Sequence, residues 1–230
     1  MTPPATGGGG PTGGDALAAA RAALARASRA LAGAGLVAGT AGNLSLRAGE
    51  LIAITPTGAE LASLRADEIT VLDARGEVVA GTLAPTSELD LHLGAHERYR
   101  PGAVVHTHSP VATALACVLD ELPCIHYEML PLGGAVRVAP YRTFGTPELA
   151  AVTLDALAGR RAALMSNHGA IVLGDDIDHG VRQASLLERM CELYWRAVAV
   201  GPPRTLDEAQ LAAVADTVAA RSYGTPRRLP

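Results

Sequence analysis

The chain has 230 residues, with 23 acidic side chains against 19 basic ones, a formal net charge of -4 and 49% hydrophobic residues. That length and apolar share fill one α/β domain without a second core, and the charge balance excludes a basic field able to gather nucleic acid or an anionic membrane. No stretch reaches the ~18 uninterrupted apolar residues of a membrane helix, and no basic start with an apolar core opens the chain, so the expectation is a cytoplasmic protein, neither membrane-spanning nor secreted.

Residues 1–14 are almost entirely Gly, Pro and Thr and read as a disordered tail, because nothing in them can offset the entropy of ordering. Residues 15–230 read as one domain. Apolar residues at helical spacing predict an amphipathic helix over 15–36, with Asp15 as N-cap and Gly33 and Gly35 as stop signals. Short β-like runs follow at 43–47, 51–55, 70–72 and 78–80; the Gly, Pro and Asp turns between them predict antiparallel pairing. Pro85-Thr86-Ser87-Glu88 opens a second helix running to Tyr99, with the hydroxyls as caps and Glu88 in the first turn, before Pro101 and Gly102 end it. Then come a buried strand at 104–108, a helix at 110–119, a strand at 136–138, a helix at 147–157 and strands at 162–165 and 170–173. Helices at 176–200 and 206–221, joined by Gly201-Pro202-Pro203, close the chain. Cys117, Cys124 and Cys191 are odd in number, lack CxxC spacing and read as reduced thiols in a cytosolic core.

His106-Thr107-His108 is the first sharp signal, since strand residues two apart face the same way and both imidazoles can approach one ion. His168, in a tight turn between two apolar strands, supplies a third ligand; three histidines leave one position of a zinc ion open for substrate. Glu88 is the nearest acid, and its spacing fits both an acid beside the metal and a plain capping carboxylate at the surface. Gly39 to Asn43 and Thr55 to Gly58 are small, hydroxyl-rich turns that suit a phosphate as well as an ordinary β-turn. His92, His96, His126 and His179 are assigned to packing and the surface, not to the metal. Every basic side chain is arginine, so a Schiff-base lysine is excluded.

Read in order, GTAGNLSLR (39–47), ITPTG (54–58), PTSE (85–88), VVHTH (104–108), IHY (125–127), YRTFGT (141–146) and NHG (167–169) resemble the class II aldolase/adducin family, nearest to its members acting on L-fuculose 1-phosphate. The resemblance spans 15–223 and implies a three-layer α/β/α fold around a mostly antiparallel sheet, assembled as a homotetramer with active sites between subunits. It implies a zinc-dependent aldolase, one Zn2+ per subunit, that cleaves or forms a ketose 1-phosphate from dihydroxyacetone phosphate and a short aldehyde such as L-lactaldehyde. By motif, His106, His108 and His168 match the metal ligands, and Glu88 matches the acid/base that also touches the metal before substrate arrives. Gly42, Asn43, Thr57, Gly58, Thr86 and Ser87 match phosphate-binding positions; Phe144 matches a substrate contact, and Tyr127 and Tyr223 match catalytic tyrosines, one or the other of which exchanges a proton with the aldehyde oxygen. Ala220 departs from the pattern, standing where the fuculose phosphate enzymes carry a bulky aromatic. The rival activities are a ribulose-5-phosphate type 4-epimerase and a thiosugar-phosphate dehydratase of the same superfamily. The rival of another class is a metal-free adducin-like binding module, for which retention of Glu88, His106, His108 and His168 has no use.

Overall fold

The protein's structure, a computed structural model, describes residues 13–221; Tyr223 and the first twelve residues of the tail expected over 1–14 lie outside them. Helix α1 (Gly13–Gly33) already includes the last two glycines assigned to the tail, and ends three residues before the sequence expectation. The antiparallel meander is β1 (Asn43–Ala48), β2 (Leu51–Ile54), β3 (Thr70–Leu72) and β4 (Val78–Ala80), with a 3-10 turn at Ala66–Glu68 before β3. Next come α2 (Leu89–Tyr99), β5 (Ala103–Thr107), α3 (Pro110–Ala116), β6 (Glu121–Leu122), a 3-10 segment at Tyr127–Leu132, β7 (Val136–Ala139) and α4 (Pro147–Ala156). The chain continues through β8 (Ala162–Met165), β9 (Gly169–Gly174), α5 (Ile177–Val200) and α6 (Glu208–Arg221).

The strands form one nine-stranded sheet in the order β4-β3-β2-β1-β5-β9-β8-β7-β6. Every neighbouring pair is antiparallel except β7 with β8. Strands β5, β8 and β9 carry apolar residues on both faces, and the period-2 alternation of a strand sorts these side chains into two cores. Ala103 and Val105 of β5, Leu164 of β8 and Val172 of β9 pack with residues of α1, α3 and α5. Val104, Ala163, Met165, Ile171 and Leu173 pack instead with Leu91 and Ala95 of α2 and Leu149 and Ala150 of α4. The result is the expected α/β/α sandwich. No helix among the described residues is long and apolar enough to cross a membrane.

Helix α2 starts at Leu89, four residues later than the sequence suggested. The reason is a long-range pairing: Thr57 N–H donates to Ala84 O and Thr86 N–H to Thr55 O, and Pro56 bridges Pro85. These bonds hold 84–86 extended, so the helix can begin only beyond Glu88, which becomes its N-cap without a capping bond from its side chain. Among the cysteines, Cys124 and Cys191 are buried as expected but Cys117 is exposed, just past the end of α3; all three are free thiols.

Candidate active site

The site lies where the ends of β1, β5 and the β8–β9 turn meet the start of α2. His106 projects from β5 toward the α2 layer, and its partner across the β1 ladder is Asn43. His108 sits one residue past the end of β5, where the chain turns into α3. Asn167 adopts a left-handed backbone (φ 55°) in the β8–β9 turn, which delivers His168 opposite the other two. Gly169 must be glycine here, because a Cβ would lie 2.3 Å from the Thr107 carbonyl of the neighbouring strand. Gly42, at φ +85°, likewise leaves room for the His106 carbonyl, which a Cβ would meet at 2.9 Å. Both glycines let the backbones approach closely enough for the imidazoles to converge.

The three ligand nitrogens lie within 4.8 Å of one another, and the rings stand edge to face at centroid separations of 4.8 and 4.9 Å. His106 Nδ1–H donates to the Ala170 carbonyl at 2.9 Å, which leaves its Nε2 as a lone pair pointing at His108 Nε2, also 2.9 Å away. Glu88 faces the same point: Oε2 is 3.1 Å from His106 Nε2, and Oε1 is 3.5 Å from His168 Nε2. The carboxylate is 6% exposed, so the surface-capping reading of Glu88 is excluded. Burial alone would push its pKa up, but His106, the Asn43 amide and His168 outweigh it and hold the carboxyl below its ordinary range. Burial, reinforced by His106 and His168, lowers the His108 imidazole to about 4, and His168 is shifted down in the same way. Both are therefore neutral at physiological pH, as a metal ligand must be. Glu88 Oε1 is buried with no hydrogen-bond partner. Converging lone pairs beside an unpartnered carboxylate oxygen fit a divalent cation.

Above this cluster opens a cleft of about 440 Å³. Gly42, Asn43, Thr57, Gly58, Thr86 and Ser87 all line it, as do Phe144, Glu88, His108 and His168; His106 lies beneath, fully buried. The short ribbon of 55–57 against 84–86 is what sets the two hydroxyl-bearing turns side by side. Tyr127 is elsewhere: half-exposed, it stacks on His126 and lines a separate groove with Val214, Thr217 and Val218 of α6.

Two features escaped the sequence reading. Arg142 lines the cleft, and among its described lining residues it is the one basic side chain besides histidine. It sits inside the YRTFGT stretch, and in a chain without lysine each arginine near a phosphate-sized turn was worth testing. His92 and His96 are not at the surface: they are 0% and 1% exposed and hydrogen-bonded toward the site.

A mostly antiparallel sheet covered on both faces, with three imidazoles and a carboxylate converging under small polar turns, has the fold and site of a class II aldolase. The family described as Class II Aldolase and Adducin N-terminal domain matches residues 22–195, and the chain belongs to it. A 5-methylthioribulose-1-phosphate/5-deoxyribulose-1-phosphate aldolase from Rhodospirillum rubrum is 39% identical over 198 residues, covering 85% of this chain and 88% of that protein. A 5-deoxy-D-ribulose 1-phosphate aldolase from Bacillus thuringiensis is 37% identical over 180 residues, covering 77% and 84%. Among solved structures, an L-fuculose 1-phosphate aldolase superimposes with a TM-score of 0.83 at 33% identity, covering 87% of this chain and 96% of that one.

Proposed function

We propose that this chain is a zinc-dependent aldolase that cleaves a ketose 1-phosphate between C3 and C4 into dihydroxyacetone phosphate and a short aldehyde, or runs the reverse. The observation that carries the reading is the meeting of three imidazole nitrogens with the unpartnered Glu88 oxygen at the base of a cleft lined by hydroxyls and small turns. His106, His108 and His168 would hold the zinc, with Glu88 as a further contact until substrate arrives. Zinc, when bound, supplies positive charge at the ketone oxygen, where negative charge develops as the adjacent carbon–carbon bond breaks.

The chain's own groups handle the protons. In condensation the Glu88 carboxylate takes a proton from C3 of dihydroxyacetone phosphate and the freed electron pair forms the bond to the aldehyde carbon; in cleavage the electron pair stays on C3, the Glu88 carboxyl in its protonated form returns that proton to C3, and the C4 hydroxyl loses its own proton as it becomes the aldehyde. Tyr127 or Tyr223 accepts that proton, and because Tyr127 is remote from the cleft of its own chain, it would serve a neighbouring subunit of a homotetramer. Gly42, Asn43, Thr57, Gly58, Thr86 and Ser87 cradle the phosphate, with Phe144 as a wall. The relatives' substrates support a 5-deoxy- or 5-methylthio-pentulose 1-phosphate alongside L-fuculose 1-phosphate, and the proposal extends to a cytoplasmic enzyme of sugar-phosphate metabolism.

The test is a panel of those three ketose 1-phosphates, assayed for dihydroxyacetone phosphate and free aldehyde, with metal analysis of the same protein. One divalent ion per chain and release of both fragments supports the reading. Turnover without free aldehyde points to an epimerase, loss of water without carbon–carbon cleavage to a dehydratase, and a site that stays empty in added zinc to a binding module. Arg142 offers a second check, since among the described residues its guanidinium bonds the adjacent Tyr141 carbonyl and no carboxylate, which suits it to meet an anion. Arg142→Ala is expected to raise KM about tenfold, the low end for a charge-assisted contact, with kcat little changed. Unaltered KM removes Arg142 from substrate capture.

A further inference from the structure

Between β1 and α2 runs a buried polar seam whose inner members, Ser45, His92 and His96, the proposed chemistry leaves unused. Along β1, Asn43, Ser45 and Arg47 share one face while Leu44 and Leu46 pack on the other. Residues two apart on a strand advance about 6.6 Å, and residues four apart on a helix about 6 Å. The strand positions 43, 45 and 47 therefore stay in step with Glu88, His92 and His96 on α2. Asn43 Nδ2 donates to Glu88 Oε2 at 2.9 Å, and Asn43 Oδ1 lies 2.5 Å from His92 Nε2. Ser45 Oγ lies 2.7 Å from His92 Nδ1 and 2.8 Å from His96 Nε2, while Arg47 donates to the His96 carbonyl at 2.8 Å.

We infer that His92, fixed in one tautomer by Ser45 and His96, is a positioning residue that orients the Asn43 amide and through it the Glu88 carboxylate. The chemistry of each group forces the next. An ionised carboxylate only accepts, so Asn43 must turn its amide N–H toward Glu88 and its carbonyl toward His92. A carbonyl only accepts, so His92 carries its proton on Nε2 and presents a lone pair at Nδ1. That lone pair accepts a hydrogen bond from the Ser45 hydroxyl, and the Ser45 oxygen accepts from His96 Nε2–H. With the opposite tautomer at His92, a lone pair would face the Asn43 carbonyl; relieving that clash by flipping the amide would press its oxygen against Glu88. His92 is fully buried, so solvent cannot substitute for any link.

The inference rests on Glu88 as the acid/base, and its test separates the two. Neutron diffraction from the zinc-loaded protein reads the protons whatever reaction is catalysed. The expected result is a proton on His92 Nε2, none on Nδ1, and the Ser45 hydroxyl directed at His92; a proton on His92 Nδ1 overturns the inference. Kinetics on the ketose 1-phosphate that the wild type turns over supply the second readout. His92→Phe is expected to lose about tenfold or more in kcat at unchanged KM and metal content, the scale of outer-sphere support. His92→Gln, whose amide can still donate to Asn43, is expected to recover most of it. Equal kcat for wild type and the two variants, or a loss confined to KM, overturns the positioning role, whereas a wild type inactive on every ketose 1-phosphate overturns the aldolase reading alone.

Discussion

Glu88→Gln is expected to lower turnover by ~10²–10⁴-fold, the usual worth of a general acid/base, while the protein keeps its fold and metal. The substitution preserves shape and leaves an amide oxygen to accept from Asn43 Nδ2, so the polar seam along α2 need not rearrange. What it removes is the ability to take up and release a proton at the carbon that carries charge after bond cleavage. The position can be substituted without collapse because Glu88 makes no helix-capping bond, and its second oxygen contributes no hydrogen bond. The three imidazoles remain to hold the ion, so metal content measured on the same sample distinguishes lost chemistry from a lost site. Near-normal cleavage by a fully loaded variant would remove Glu88 from the role.

The three-histidine cluster was legible because its signals are local. Two histidines two apart on a strand, and a third in a tight turn, state their geometry in the sequence. The role of 85–88 was not, since the extended backbone there depends on bonds to residues 55 and 57, some thirty positions earlier. A capping pattern was therefore read where the chain had already spent those amide groups on a ribbon. Of the assignment of His92 and His96 to packing and the surface only the packing holds, for a related reason: i,i+4 spacing gives a helix face but not what lies opposite it. The missing half was the alternation of Asn43, Ser45 and Arg47 with Leu44 and Leu46, a polar strand face of the kind that normally meets water. Here α2 covers it, and the only account that satisfies its polar groups is a matching polar face on the helix. Tyr127 marks a different boundary, because its motif carries no information on its distance from the cleft, and the fold sets it in a separate groove beside α6.

The same buried histidines predict a strong acid sensitivity of folding. Burial pushes His92 down to about 3, helped by His96, and pushes His96 down to about 4, helped by Arg47, against an ordinary value of 6.5. Below pH 6.5 the unfolded chain gains a proton at each position that the folded chain refuses, so stability present above that pH is lost as pH falls toward 4. Each histidine contributes a slope approaching ~1.4 kcal/mol per pH unit in that window. His108 and His168 are shifted in the same direction, so the wild-type slope alone does not isolate the seam. His96→Gln does, because glutamine can still donate to Ser45 and does not titrate. Between pH 7.5 and pH 5 the variant is expected to lose about 2 kcal/mol less unfolding free energy than the wild type. Denaturant midpoints at the two pH values, at matched zinc, measure the difference. Parallel losses in both proteins would mean that His96 is protonated within the folded seam, with a charge the surrounding groups had accommodated.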